Sequence, residues 1–331
     1  MRVFKCELCD STELVKQDGM FVCQSCGTKY SVEEARKLMV EVSEGLFKTK
    51  GNNIDESVKS FFVLAQNAYQ SENLQETEVY CNKIIELDPT NVNAWMLKGK
   101  AAGWQSTLQN PRLLEAVSAF SVAINNSSDK EKQDLIQDAQ NEIVRIAVAL
   151  INLRGQQFEK WPDEEEAEGF YIDIERINIA VEKLSGLVNL KRLKSELHSE
   201  IASRINQIVV QTWTNKIELD YRVDLNNSDE KPEKPEWNLF VNRIDYCLVL
   251  LKKAIELCDD DNEDNIVRYE NMVFFQKQAI DSAAWDYEYN EFGKEWYEAW
   301  TLSKRAKESR LISIKEYEDQ IQRIKTINNI K

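Results

Sequence analysis

The sequence predicts a mainly α protein that carries a small four-cysteine metal-binding β module at its N-terminus. Three observations lead there. The chain of 331 residues holds only 10 glycines and 5 prolines, too few for a turn-dense sandwich or barrel and in keeping with helices. Apolar residues recur at three and four over long stretches, which is the spacing of one helix face. Four of the seven cysteines stand as two pairs, Cys6-Glu7-Leu8-Cys9 and Cys23-Gln24-Ser25-Cys26, a metal-ligand spacing rather than a disulfide one.

Composition narrows the function classes. With 43% hydrophobic and 30% charged residues the chain is a folded protein, not a disordered tail. Its net charge of −15 repels nucleic acid and anionic membranes from the average surface. No run of apolar residues is long enough to span a bilayer, and the opening Met1-Arg2-Val3-Phe4-Lys5 has no apolar signal region behind its charges. The expected location is therefore cytoplasmic, with no membrane partner. In that reducing compartment cysteines serve as metal ligands or free thiols. A single histidine removes every mechanism that needs two. Phosphate loops, dinucleotide fingerprints and nucleophile elbows are missing as well, so no enzyme is expected.

The first module occupies residues 1–30. Each CxxC pair can sit in a tight turn that aims two thiolates at one ion, and two such turns on a short hairpin close a tetrahedral shell. Phe21-Val22 reads as a strand leading into the second pair, and Gly27 follows it where the turn must close. Four thiolates leave no open position for an activated water, so the ion is structural. Zinc is the expected ion, with iron in a rubredoxin-like site as its rival. This stretch resembles a transcription-factor-IIB-type zinc ribbon of the kind found at the N-terminus of many bacterial proteins. The resemblance implies one Zn held by Cys6, Cys9, Cys23 and Cys26, although neither pair contains proline and Asp10 replaces the first knuckle glycine. Residues 31–50 then form a capped helix and connector, opened by the capping box Ser31-Val32-Glu33-Glu34. Residues 1–50 carry eight basic and eight acidic side chains, so all the excess negative charge lies beyond them.

Residues 51–225 hold the helical domain. Phe61 and Trp95 lie 34 residues apart, as do Ala65 and Gly99, and Asp88-Pro89 closes the first unit. A second unit continues as Ala116, Phe120 and Ala123, a small-large-small spacing that lets antiparallel helices approach closely. These units resemble tetratricopeptide repeats. The second departs by five extra residues, placed around Ser106–Arg112 in the loop between its helices. The resemblance implies that first helices line a concave groove, at Lys59, Phe62, Gln66, Tyr69, Asn93, Met96, Lys100 and Trp104. The alternative is that these side chains only contact neighbouring helices. Beyond residue 124 the match fades, but Leu135, Ala139, Ile143, Ile146 and Leu150, and then Leu190 to Ile208, keep the helical stripe. Trp161-Pro162-Asp163, followed by three glutamates, marks a helix start.

Asn226 to Glu236 contains no apolar residue and two prolines, so residues 226–237 read as a solvated linker or loop. C-terminal helical hairpins follow over 238–331. Cys247, Leu251 and Ala254 echo the small-large-small spacing. Trp285, Tyr289, Phe292, Trp296 and Trp300 recur at four, seven, eleven and fifteen, which predicts one face of an aromatic-rich helix, buried in a hairpin or exposed to a partner. The last helix carries Ile314, Tyr317, Ile321 and Ile324 at seam spacing. His198 reads as a rim histidine. Cys81, Cys247 and Cys258 read as inert buried thiols.

Two functions fit this organisation. One is a protein-interaction scaffold or adaptor whose helical groove grips a protein partner while the ribbon docks. The other is a transcription-related regulator whose ribbon contacts nucleic acid or RNA polymerase. The neutral ribbon favours the first, because phosphate binding needs clustered lysine and arginine.

Overall fold

The computed structural model describes residues 14–17, 20–23, 28–30, 54–184, 190–226 and 230–330. The chain divides into two compact units, Met1–Ser57 and Val58–Lys331.

In the first unit β1 (Leu14–Gln17), β2 (Met20–Cys23) and β3 (Lys29–Tyr30) form an antiparallel sheet in the order β1-β2-β3. Leu14 lies opposite Cys23 and Phe21 opposite Tyr30. The Cys23 amide donates to the Thr28 carbonyl at 2.9 Å. Phe21-Val22 is thus the strand that the sequence predicts. The capping box at Ser31 lies outside the described residues.

In the second unit the described elements before residue 282 are all helical. Its first four helices are α1 (Ile54–Gln70), α2 (Leu74–Leu87), α3 (Val92–Trp104) and α4 (Leu113–Asn126). The longer α5 (Lys132–Lys160), α6 (Glu164–Glu182) and α7 (Leu190–Thr212) follow. A π-helical turn, Trp213–Ile217, continues α7 into α8 (Glu218–Asn226). Side-chain caps set several starts: Asn73, Asn91 and Asp163 each accept from the amide three residues on, satisfying a donor that the helix cannot. Pro162 stands just before the Asp163 cap, one step outside the helix.

Successive helices pack on one another, α2 on α3, α3 on α4, α4 on α5 and α5 on α6, and α7 then returns to α5. The result is a repeat-like helical array. Phe61 of α1 stacks on Tyr80 of α2 with ring centres 6.3 Å apart. In the next pair Gly99 meets Phe120: a Cβ at residue 99 would lie 2.5 Å from the Phe120 ring, so no other residue allows this approach without a shift. Ala116, Phe120 and Ala123 are fully buried, as their spacing predicts. The buried stripes Ala139, Ile143, Ile146 and Leu197, Ile201, Ile205 hold α5 and α7 on the same core.

The surplus residues of the second unit form the α3–α4 connection. Glu78 of α2 fixes this loop. Arg112 donates to both Glu78 carboxylate oxygens at 2.8 Å, and Gln105 donates at 2.7 Å. Burial alone would raise the Glu78 pKa, but the hydrogen bonds from Arg112 and Gln105 outweigh it and hold the carboxyl below the ordinary range.

Beyond Glu230, α9 (Lys234–Glu256) and α10 (Asp264–Asp281) form a helical hairpin that packs on α7. Trp213 of the π turn sits among Phe240, Phe274 and Phe275, with ring centres 5.3–5.8 Å away. Cys247, Leu251 and Ala254 are fully buried on α9.

The aromatic stretch is not a helix. It is an antiparallel hairpin of β4 (Ala283–Asn290) and β5 (Gly293–Thr301). Trp285, Tyr287 and Tyr289 alternate with Asp286, Glu288 and Asn290, a period of two in residues that favour pleated surfaces. Gly293, at φ 121°, supplies the left-handed residue of the turn. The helical spacing of four to fifteen is coincidental; in the hairpin Trp296 stands opposite Tyr287. The final helix, α11 (Lys304–Ile327), packs on α10 through Ile266, Ile321 and Ile324, and buries Ile314 as well.

Phe120→Ala should lower the stability of the helical unit by about 3 to 5 kcal/mol, read in urea unfolding. Glu78 supplies a pH test. A carboxyl with a lowered folded pKa stabilises the fold above its unfolded pKa, and that contribution disappears as the pH falls through the folded value. Glu78→Gln should therefore weaken the protein at neutral pH and lose less on acidification than the parent; parallel acid limbs would show that the Arg112 contact contributes nothing.

Candidate partner-binding face

Three helices supply the face that the sequence marks. On α3, Met96, Lys100 and Trp104 follow one another at four-residue steps, so they form a single stripe. Met96, at 5% exposure, belongs to the hydrophobic core rather than to any accessible surface. Lys100 and Trp104 are half-buried and point to α5. On α1, Phe62 and Tyr69 are half-buried, while Lys59 and Gln66 are exposed, as is Asn93 on α3.

The side chains that meet this stripe come from α5. Lys100 Nζ lies 2.9 Å from Asp138 Oδ2 and 3.0 Å from its Oδ1. One turn further, Trp104 Nε1 donates to Glu142 Oε1. Arg145 reaches the other oxygen of Glu142 at 3.2 Å, and its guanidinium sits 5.4 Å from the Trp104 ring centre. Glu142 is only 3% exposed, and these two partners satisfy a carboxylate that would otherwise be costly to bury. The Tyr69 phenol is held above its ordinary pKa by burial first and then by the negative charge of Glu142 and Asp138, against the opposing charge of Arg145. Tyr69, Lys100 and Trp104 are therefore one electrostatic cluster.

Asp138, Glu142 and Arg145 were not singled out by sequence. Their signal is a polar line at steps of four and three, beside the apolar stripe of Ala139, Ile143 and Ile146. Reading α5 as the first helix of a third unit would have exposed it. Next to the cluster, Gly103, Trp104, Ile146, Leu150, Leu153 and Gln156 line a depression of about 330 Å3, so the face combines a fixed ion-pair ladder with an apolar hollow.

The other singled-out side chains stand apart from it. Cys23 is buried at the end of β2, whereas Cys6, Cys9 and Cys26 lie outside the described residues. No group of three or more histidine, cysteine, aspartate or glutamate side chains that could hold a metal occurs among the described residues. His198 Nε2 is 2.8 Å from Asn178 Oδ1. Burial, aided by Lys194 and Lys253, lowers its pKa. Cys81 is buried with its thiol pushed up to about 12, and burial raises Cys247 too. Cys258 is half-buried with Arg268 Nη1 at 3.5 Å, and burial holds its thiol above the ordinary value against that charge. None of these thiols is poised for chemistry. Among the described residues no helix is long and apolar enough to cross a membrane.

No model of a known protein family matches the chain, and no curated protein matches it.

The coupling within the cluster can be read directly. In the absorbance difference between the parent and Tyr69→Phe, Tyr69 should ionise above an ordinary tyrosine. Glu142→Gln should move that titration downward without bringing it to the ordinary value, because burial remains. An unchanged titration would remove Glu142 from the neighbourhood of Tyr69.

Proposed function

We propose that this chain is a non-enzymatic protein-interaction scaffold whose α1–α3–α5 face grips a protein partner, with a zinc ribbon as a second docking module. The observation that carries the reading is the cluster of Tyr69, Lys100 and Trp104 with Asp138, Glu142 and Arg145. Large aromatic side chains are held there at fixed positions beside an apolar hollow, an arrangement that loses little conformational entropy on binding. The helical pairs are tetratricopeptide-like in this reading, and the first helix of each pair supplies the face. The cations are already neutralised by Asp138 and Glu142, so the partner is gripped through aromatic and apolar contact rather than through free charge.

The N-terminal sheet fits the ribbon reading. Cys23 ends a strand, is buried, and has its amide bonded to the Thr28 carbonyl, which suits a knuckle that presents thiolates to one ion. Together with Cys6, Cys9 and Cys26 it would hold one structural Zn, which would supply folding energy that so short a segment cannot obtain from burial.

Affinity purification of the intact chain from its host, with and without nuclease, tests the scaffold. The same protein partner should be recovered in both, and Tyr69→Ala and Trp104→Ala should each weaken the purified complex, per folded molecule, by ~1 to 3 kcal/mol, with some loss of melting temperature in Trp104→Ala because the buried Glu142 then loses a donor. Recovery that depends on nucleic acid, or variants that melt the fold while binding per folded molecule stays constant, would overturn the reading. For the ribbon, elemental analysis should return about one Zn per chain, and Cys23→Ser should lose it while the helical unit keeps its urea midpoint.

A further inference from the structure

The helix α11 has two sides. Ile314, Ile321 and Ile324 are buried along one of them, with Tyr317 half-buried among them. On the other, Lys304, Glu308, Leu311, Lys315 and Glu318 follow at steps of four and three, flanked by Arg305, Ile312 and Asp319. At 3.6 residues per turn these eight share one face, opposite the isoleucines. All eight are exposed, Leu311 at 54% and Ile312 at 61%. Among the described residues Lys304, Arg305, Glu308, Lys315 and Asp319 make no ion pair, and Glu318 reaches only Lys277, at 3.9 Å. Nothing described covers this face.

The order of the charges says what would cover it. Take the point between Leu311 and Ile312 as a centre. Lys304 and Asp319 stand at equal distances on either side of it, as do Arg305 and Glu318, Lys307 and Glu316, and Glu308 and Lys315. Every one of these pairs is opposite in sign. A row of this kind is complementary to itself about a two-fold axis, where residue i of one copy meets residue j of the other and j meets i. Two such helices laid antiparallel therefore form each opposite-charge pair twice, with Leu311 and Ile312 of both copies meeting at the axis. The spacing of four and three is that of helices packed side by side. Parallel pairing would instead set Lys304 on Lys304 and Asp319 on Asp319, which selects the antiparallel arrangement. The net charge of −15 opposes association only weakly at this face, because at physiological salt charges more than about 8 Å away are largely screened.

We propose that the outer face of α11 is a homodimer interface, in which two copies of the chain pair these helices antiparallel about Leu311 and Ile312. The contact has a small apolar centre and a charged rim, so it belongs to the small and weak class of interfaces, with dissociation in the micromolar range. Its charges fix orientation and register more than they add affinity. The interface is separate from the α1–α3–α5 face and does not depend on it.

Sedimentation of the intact chain over a concentration series should show a monomer–dimer equilibrium with no larger species. Two charge reversals then test the register. Lys304→Glu with Arg305→Glu sets acid against acid across the axis, and Glu318→Lys with Asp319→Lys sets base against base. Each should weaken self-association about tenfold or more, at a nearly unchanged monomer melting temperature because all four side chains are exposed. All four changes in one chain restore opposite signs, leave the net charge at −15, and should return the parental affinity. An equimolar mixture of the two reversed variants should recover it as a heterodimer. Trp104→Ala should leave the dimer unchanged, so failure of the partner-binding face leaves this result intact. A parent that stays monomeric at every concentration, a dimer indifferent to the reversals, a fourfold variant or mixture that fails to recover, or growth into open chains would each overturn the proposal.

Discussion

The contact of Phe120 with Gly99 sets the position of α3, and much of the second unit depends on it. With no side chain at residue 99, the Phe120 ring rests against the α3 backbone, closer than two ordinary helices could pack. Gly103 repeats the device one turn on, where a Cβ would meet Ile146 of α5 at 2.3 Å. One short helix is therefore drawn against α4 and α5 at once. Its remaining stripe, Lys100 and Trp104, then falls within hydrogen-bond reach of Asp138 and Glu142. Core packing and the polar cluster are two sides of the same thirteen-residue helix, so a change in the first moves the second.

Carboxylates do structural work in an acidic chain only where each has a partner. Glu78 is tied to Arg112 and Gln105, Glu142 to Trp104 and Arg145, and Asp173 to Arg154 and Arg176. Each of these acids joins elements, α2 to the α3–α4 loop, α3 to α5, and α5 to α6, and each stands at 20% side-chain exposure or less. Buried acids of this kind specify which element lies against which more than they add stability, since desolvation offsets most of the attraction. The excess negative charge stays on the surface, where water screens it.

The helices were legible because their signal is local. A stripe such as Ala139, Ile143, Ile146 and Leu150 needs only the period of the helix, and Gly99 with Phe120 needs only a 34-residue repeat. Two things were not legible for the same reason. Asp138, Glu142 and Arg145 acquire meaning only when α5 is laid beside α3, which no pattern within α5 states. The hairpin failed differently. Aromatic residues at 285, 289, 296 and 300 satisfy a helical period by coincidence, and the competing alternation of ring and acid from Trp285 to Asn290 was the stronger sign, closed by Gly293. The polar stretch before α9 hid a comparable role. Read as a solvated loop, it nevertheless provides the Pro232 carbonyl, which accepts from the Trp285 amide, and lays Lys231 Nζ 5.7 Å from the Trp285 ring centre, because an apolar count takes no notice of backbone acceptors or of a lysine stem on an aromatic ring.

The two surfaces of the second unit are built on opposite electrostatic terms. On the α1–α3–α5 face Lys100 is paired with Asp138 and Arg145 with Glu142, each within 3.2 Å. Little long-range field is left around these pairs, and in the proposed scaffold reading recognition falls to the Tyr69 and Trp104 rings and to the hollow beside them. On the hairpin Glu288 stands opposite Glu295 with no ion pair to either among the described residues, so its field extends into solvent. Salt weakens an attraction of the second kind and scarcely touches the first. A fold that neutralises charge at one surface and concentrates it at another keeps packing and long-range field in different parts of the same acidic chain.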